Sequence, residues 1–296
     1  MADVEEIIRR LIEISEVEIP GGWRGWVAVR NAGRERFSKS EWLELLAEPE
    51  KLPDGAQQTL KSDGQNSVVV KYLAAGGRGV KAVIKRHRRG RGLREFFRSL
   101  GPPRSMQNFI AAVKTSQYGL PVAAPLAAVY RRRFLFCKES IYLSEYVEGV
   151  NLYEFLRNLP TDVQKRHNIV RRIAGQIARL LATMHTDGFW HRDAKATNFI
   201  VSGDGPDNYR IVITDMDGIK RNVPLSRDRQ MRALWQMAAS VMALPGIGRT
   251  DYMRVFRAYC DNVEIPQSHR RDVLEGLVQE ARAKYRRKIE KQNSHV

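Results

Sequence analysis

Apolar positions set out the elements of this chain in order. Val4, Ile7, Ile8, Leu11, Ile12 and Ile14 recur in steps of three and one, so the spacing predicts a short amphipathic helix over residues 3–14. "GGWRGWVAVR" then reads as a turn and a strand. "SKSEWLELLAEPEKLPDG" reads as a helix capped by Ser40 and closed by two prolines. From residue 59 the period shortens: Val68–Tyr72 and Val80–Ile84 are β-branched strand runs, and "AAGGRG" between them suits a hairpin loop. The basic, proline-broken "RRGRGLREFFRSLGPPR" reads as an exposed linker. Met106, Phe109, Ile110 and Val113 restore helical spacing, which Gly119 is placed to stop.

Two more strands follow, "AAPLAAVYR" and "RFLFCKESIYLSEYV". Asn151 and Glu154 then stand at capping-box spacing for the helix of "EGVNLYEFLRNLP". Ile169, Ile173, Ile177, Leu180, Leu181 and Met184 line a long helix that ends near Gly188. A polar loop and the strand "YRIVIT" come next, with mostly helical segments beyond. A strand-rich first half with one embedded helix and a helix-rich second half make an α+β chain in two segregated parts.

Charge narrows the range of partners. The 296 residues hold 50 Lys and Arg against 33 Asp and Glu, a formal charge of +17, so polyanions are the expected company. Cys137 and Cys260 match neither a metal spacing nor a disulfide framework, which points to a reducing compartment. "MADVEEIIRR" is acidic and lacks a basic segment leading into an apolar core. No apolar run approaches the ~18 residues of a spanning helix. The expectation is a cytoplasmic protein whose membrane contact, if any, is peripheral.

Chemistry gathers at four places. Lys85 ends the strand "VKAVIK" and could put an ammonium among phosphates. In "HRDAKATN", Asp193, Lys195 and Asn198 stand at the spacing H-R-D-x-K-x-x-N. Phosphoryl transfer asks mainly for positioning and charge stabilisation, and these residues offer both. Asp193 would orient or accept the proton of an acceptor hydroxyl, Lys195 would neutralise the moving phosphoryl group, and Asn198 would offer its amide oxygen to a metal ion. Asp215 ends the apolar run in "IVITDMDG", past the loop "SGDGPDN" that could turn a hairpin, and could share one Mg²⁺ with Asn198. Asp217 competes for that role, since an extended chain would put both carboxylates on one side. Fourth, "YLSEYVEG" fits a connector whose backbone, around Glu145 and Val147, would hydrogen-bond an adenine edge.

The ordered set of Lys85, "SEYV" (144–147), "HRDAKATN" (191–198) and "TDMDG" (214–218) resembles the protein-kinase-like superfamily. With "GLPVAAPLA", "WRGW" and "LKSDGQNSVVVKYLA" in a basic chain, it resembles more narrowly the lipopolysaccharide kinase (Kdo/WaaP) family, over roughly residues 20–285. The resemblance implies a bilobal kinase fold that uses ATP and Mg²⁺. Its strand-rich N-lobe would span residues 1–147, with a core from about 59, and its helix-rich C-lobe residues 148–296. The γ-phosphate would go to a sugar hydroxyl of the lipopolysaccharide inner core, a heptose or Kdo. Lys85 would contact the α- and β-phosphates, Asp193 would be the catalytic Asp, Lys195 would lie beside the γ-phosphate, and Asn198 and Asp215 would hold metal. The acceptor would be an anionic glycolipid or sugar, met on the inner face of the cytoplasmic membrane. The basic run with Phe96 and Phe97 could rest on anionic lipid. Nucleic acid is not the expected partner.

Departures from the family pattern set further expectations. The nucleotide-covering loop in "LKSDGQNSVV" has one glycine, Gly64, so Ser62, Asn66 and Ser67 would supply side-chain donors in place of freer backbone amides. The embedded helix offers Asn108 or Gln107 where a Glu would pair Lys85, and Glu95 lies in the basic linker. No A-P-E-like triplet follows Gly218, which argues against a regulated protein kinase. Two alternatives stand beside the sugar kinase: an atypical Ser/Thr protein kinase, and a catalytically silent kinase fold that binds polyanions.

Overall fold

The computed structural model describes residues 12–31, 34–63, 66–90 and 92–293. The chain divides into two compact units, Met1–Tyr146 and Val147–Val296.

Among the described residues, the first unit is built on one antiparallel sheet. Its strands are β1 (Glu13–Ile19), β2 (Trp23–Asn31), β3 (Arg34–Glu35), β4 (Gln58–Ser62), β5 (Asn66–Ala75), β6 (Arg78–Arg88), β7 (Pro125–Arg133) and β8 (Phe136–Glu145). They lie in the order β1-β2-β7-β8-β6-β5-β4, with β3 beside β2. Residues 13–31, expected as an extension ahead of a core from about 59, are therefore part of that sheet, since β2 pairs with β7 from Trp23↔Arg131 to Val27↔Ala127. Most of the helix expected over 3–14 lies outside the described residues. Glu13 and Ile14 open β1 instead.

Helix α1 (Lys39–Leu45) is capped by Ser38, two residues ahead of the expected Ser40. The Ser38 hydroxyl accepts from Glu41 N while the Glu41 carboxylate accepts from Ser38 N at 2.6 Å. Trp42 of α1 is fully buried, donates from Nε1 to Ala28 O at 3.0 Å, and meets Phe37 edge-on with centroids 5.1 Å apart. Strand alternation sends Trp23 and Val27 into the same cluster as Trp42 and turns Trp26 the other way. There Trp26 meets Phe109 of α3 (Arg104–Gln117) at 6.4 Å, so the two faces of the sheet carry different helices. Each buried aromatic contributes roughly 2–3 kcal/mol through the area it removes from water.

The basic segment read as a linker contains α2 (Leu93–Leu100). Phe96 packs on Phe136 at 4.9 Å and meets Phe97 edge-on at 5.6 Å, so aromatic contacts outweigh the charged composition.

The second unit begins with β9 (Val150–Asn151), α4 (Leu152–Arg157), capped by the Asn151 side chain at 3.0 Å from Glu154 N, and α5 (Val163–Thr186). Gly188 ends α5 at φ +78°, a conformation that glycine adopts without the steric cost of a Cβ. Then come β10 (Phe189–His191), β11 (Phe199–Ser202), β12 (Arg210–Ile213) and β13 (Ile219–Arg221). Strand β10 pairs with β13, and β11 lies between β12 and β9. Helices α6 (Arg227–Val241), α7 (Arg249–Asn262) and α8 (Gln267–Asn293) complete it, α7 packing on α5 and α8 on α6. No helix among the described residues is long and apolar enough to cross a membrane.

Candidate active site

Two short antiparallel strand pairs of the second unit assemble the polar loop. Strand β10 delivers His191 from the buried end of Phe189–His191, and β13 fixes its height through the register His191↔Ile219. Arg192 N then donates to Gly218 O at 2.8 Å. After the loop, β11 and β12 pair with Phe199↔Ile213, and Thr214 N donates to Asn198 O at 2.9 Å. Asn198 and Asp215 thus stand at the shared base of one hairpin, although the sequence separates them by the whole turn.

His191 ties the two segments together. Its ring is fully buried; Nδ1 accepts from Asp193 N at 3.1 Å and Nε2 faces Thr214 O at 3.4 Å. Burial pushes the imidazole pKa down, against the pull of the Asp215 and Asp193 carboxylates, so the ring is neutral and can accept at one nitrogen while donating at the other. The brace has a steric condition. A Cβ on Gly218 would stand 2.5 Å from His191 Nδ1 and closer still to Cε1, so the ring occupies space that only glycine leaves open.

Asp193 carries the strongest local charge contact. Its Oδ2 pairs with Lys195 Nζ at 2.7 Å, and Oδ1 lies 3.9 Å from Lys284 Nζ on α8. Lys284 also lies over the Trp235 ring at 5.1 Å. Burial lowers its pKa first of all, Asp193 pulls it back up, and Lys195, Arg232 and Arg287 lower it further.

Asn198 is nearly buried and donates from Nδ2 to Asp193 O at 2.7 Å, which leaves its amide oxygen as the atom to offer a cation. Asp215 adopts the left-handed conformation (φ 60°, ψ 65°), costly for a residue with a side chain and typical of functional positions. The chain does not stay extended beyond it: Met216–Gly218 form a 3₁₀ turn, so the premise that Asp215 and Asp217 share a strand face does not hold. Among the described residues no group of three or more His, Cys, Asp or Glu could hold a metal. One amide oxygen and one carboxylate nevertheless suit Mg²⁺, a hard ion that takes few protein ligands and completes its shell with phosphate and water.

Helix α6 supports the loop with residues that the sequence reading did not single out. The amide of Gln236, 3% exposed, accepts from Ala194 N at 2.8 Å and donates to Arg192 O at 2.9 Å. One turn later Ser240 Oγ accepts from Ala196 N at 2.9 Å. A polar pair four residues apart on an otherwise apolar helix face was the available signal.

The remaining candidates belong to other segments of the chain. Val147 is the first residue of the second unit and is half-buried. The others belong to the first unit. Lys85 is on β6, in register with Val68 and Tyr142, and points away from the face that buries Ala82 and Ile84. Ser67 pairs with Ser62 on β4, and Gly64 lies outside the described residues. The Asn66 amide is engaged by protein neighbours on both sides. Nδ2 donates to Asp63, and Oδ1 meets His87 Nδ1 at 2.9 Å. Glu145 N donates to Ala124 O at 2.8 Å and its carboxylate pairs with Arg36, so that amide is committed inside the sheet. On α3, Asn108 is fully buried and no hydrogen bond reaches either atom of its amide among the described residues. Gln107 turns out to Pro102 O at 2.8 Å. The Glu95 side chain lies outside the description.

Comparison with known proteins sets this geometry in a family context. The model of the lipopolysaccharide kinase (Kdo/WaaP) family matches residues 67–259. The probable serine/threonine protein kinase IREH1 of Arabidopsis thaliana is 36% identical over 70 residues, which are 23% of this chain and 5% of that protein. A probable serine/threonine-protein kinase of Dictyostelium discoideum is 33% identical over 89 residues, 30% of this chain and 9% of its own length. The chain therefore spans less than a tenth of the curated relatives it matches. Among solved structures, "WaaP in complex with acyl carrier protein" superposes with a TM-score of 0.59 at 18% identity, over 84% of this chain and 96% of that one. At that identity the likeness speaks for a shared kinase-like α+β fold.

Proposed function

Because the chain belongs to the lipopolysaccharide kinase (Kdo/WaaP) family, we propose that it is an ATP-dependent kinase that phosphorylates a sugar hydroxyl of the lipopolysaccharide inner core, a heptose or Kdo. The observation that carries this reading is the Asp193–Lys195 pair beside Asn198 and Asp215 at the base of one hairpin. Transfer forms the bond from the acceptor oxygen to the γ-phosphorus and breaks the one to the bridging oxygen, releasing ADP. Asp193 orients the acceptor hydroxyl and takes its proton; Lys195 faces the phosphoryl oxygens as their charge shifts. Asn198 and Asp215 would hold Mg²⁺, whose chemistry is to neutralise the β- and γ-phosphate oxygens. Lys85 would reach the α- and β-phosphates, and Ser67, Gly64, Glu145 and Val147 would border the nucleotide.

A lipid-linked acceptor puts the enzyme at the cytoplasmic face of the inner membrane, and a net charge of +17 favours that anionic surface. The test is transfer of labelled γ-phosphate to unphosphorylated core glycolipid, read by mass spectrometry for wild type and Asp193→Ala. Phosphate gained with wild type alone supports the proposal. The probable protein kinases among the relatives favour a second reading, an atypical Ser/Thr protein kinase. Label in polypeptide with none in glycolipid would select it.

A further inference from the structure

One face of the first unit combines exposed aromatics with clustered cations, and nothing in the phosphotransfer site uses it. The turn joining β7 to β8 presents Phe134 and Leu135, 88% and 71% exposed. Phe134 is held at φ +54°, where Asn or Gly would sit more comfortably and would also suit water better. The turn is braced rather than loose: Arg132 donates to Leu135 O at 2.6 Å and to Gly101 O at 2.8 Å, just past the end of α2. On α2, Phe97 is 67% exposed and lies edge-on to Phe96, which packs on Phe136.

Behind the turn lies an open concavity of about 840 Å³, bordered among the described residues by Phe134, Phe136 and six cations: Arg86, Arg88, Arg89, Arg131, Arg133 and Lys138. Among the described residues, the carboxylates on its rim are Glu50 and Glu139. Glu139 is nearly buried and pairs with Arg86, Arg88 and Arg131 together, so one negative charge is matched against three guanidiniums. Arg89 lies 4.9 Å over the Phe136 ring and 5.4 Å over Phe96. The apolar tip and the surplus of positive charge therefore share one surface.

We propose that this face docks the enzyme on an anionic phospholipid bilayer. Phe134, Leu135 and Phe97 enter the headgroup–acyl boundary, while the cations of the concavity take lipid phosphates. Aromatic and aliphatic side chains at the tip gain by leaving water, and long basic side chains keep their charge at the phosphate level. A partner met by charge alone would match the cations but leave Phe134, Leu135 and Phe97 in water. The proposal deepens the membrane part of the reading above and rests on it, so vesicle binding and phosphate transfer are measured separately.

The experiment is flotation of the full chain with vesicles of phosphatidylcholine alone or with about 30 mol% phosphatidylglycerol, at low and high salt. Binding is expected to the anionic vesicles and to weaken with salt. Replacing Arg88, Arg133 and Lys138 by Gln should lower partitioning about 100-fold, at roughly fivefold per cation. Phe134→Ser with Leu135→Ser should lower it roughly tenfold. Both sets lie at the surface, and thermal melting of each variant establishes that it is folded. Neutralising Lys220, Arg257 and Arg271, exposed on the second unit, should leave binding within about threefold. All variants should phosphorylate a deacylated, water-soluble acceptor like wild type. The proposal is overturned if wild type ignores anionic vesicles, if the patch variants float as wild type does, or if the control set weakens binding equally. Retention on heparin without flotation also overturns it. Loss of transfer with vesicle binding intact would count against the kinase reading alone.

Discussion

Gly218→Ala perturbs the joint between the two catalytic segments without touching any group proposed to react. The added Cβ would stand 2.5 Å from His191 Nδ1 and 3.0 Å from Nε2, where ordinary contact needs about 3.4 Å or more. The ring has no open side, because it is fully buried and both nitrogens face hydrogen-bond partners. Relief requires a shift of about 1 Å in either the ring or the Gly218 backbone, which itself accepts from Arg192 N. Overpacking of this kind costs about 1–3 kcal/mol, and weakening one buried hydrogen bond adds about 1 kcal/mol. The sum of about 2–4 kcal/mol corresponds to a fall in Tm of roughly 5–15 °C. Because His191 holds Asp193 N, the displacement is passed to the Asp193 loop, and a misplacement near 1 Å should lower kcat about 100-fold. The assay is thermal melting alongside ADP release with saturating acceptor. Gly205→Ala is the control, since no atom lies within 4 Å of its Cβ position and its backbone angle suits any residue. A Gly218→Ala enzyme with kcat within twofold of wild type would refute the argument that the imidazole fixes this joint.

Further outcomes follow from the same geometry. Gln236→Leu keeps the volume but leaves Ala194 N and Arg192 O without their partner; stability should fall by about 2–4 kcal/mol in urea titration, and kcat should fall with it. Lys284→Met removes the more distant cation from Asp193 and Lys195→Met the nearer, so kcat/KM should drop about tenfold or less for the first and 100-fold or more for the second. A similar loss in both would show that distance to Asp193 is not what separates them. His185, buried against Tyr259 OH at 2.7 Å, has its pKa pushed down to about 4 by desolvation. Its unfolded form takes up a proton near pH 6.5, so stability is complete above that pH and declines as the pH falls towards 4. The expected loss between pH 7 and pH 5 is about 2 kcal/mol, and His185→Asn should flatten the profile. Equal slopes for wild type and variant would place the acid sensitivity elsewhere.

The sequence by itself determined the elements whose residues answer to local rules. β-branched runs became β5 and β6, Asn151 capped α4, and Gly188 ended α5, because period, capping and backbone freedom act over a few residues. The spacing of Asp193, Lys195 and Asn198 was legible for the same reason, since a loop of fixed length keeps its members together wherever the fold puts it. Local charge misled at residues 93–100, where Phe96 resting on Phe136 makes a helix of an apparent linker. Ser38 took the cap expected of Ser40 because Glu41 could reach back only to that residue. Tertiary structure decided whatever depends on partners far along the chain: the inclusion of residues 13–31 in the sheet, the Gln236 and Ser240 supports, and the second cation at Asp193 from Lys284. It also decided why position 218 is a glycine, for the atom that forbids any larger residue belongs to His191, and their closeness exists only once β10 and β13 have paired.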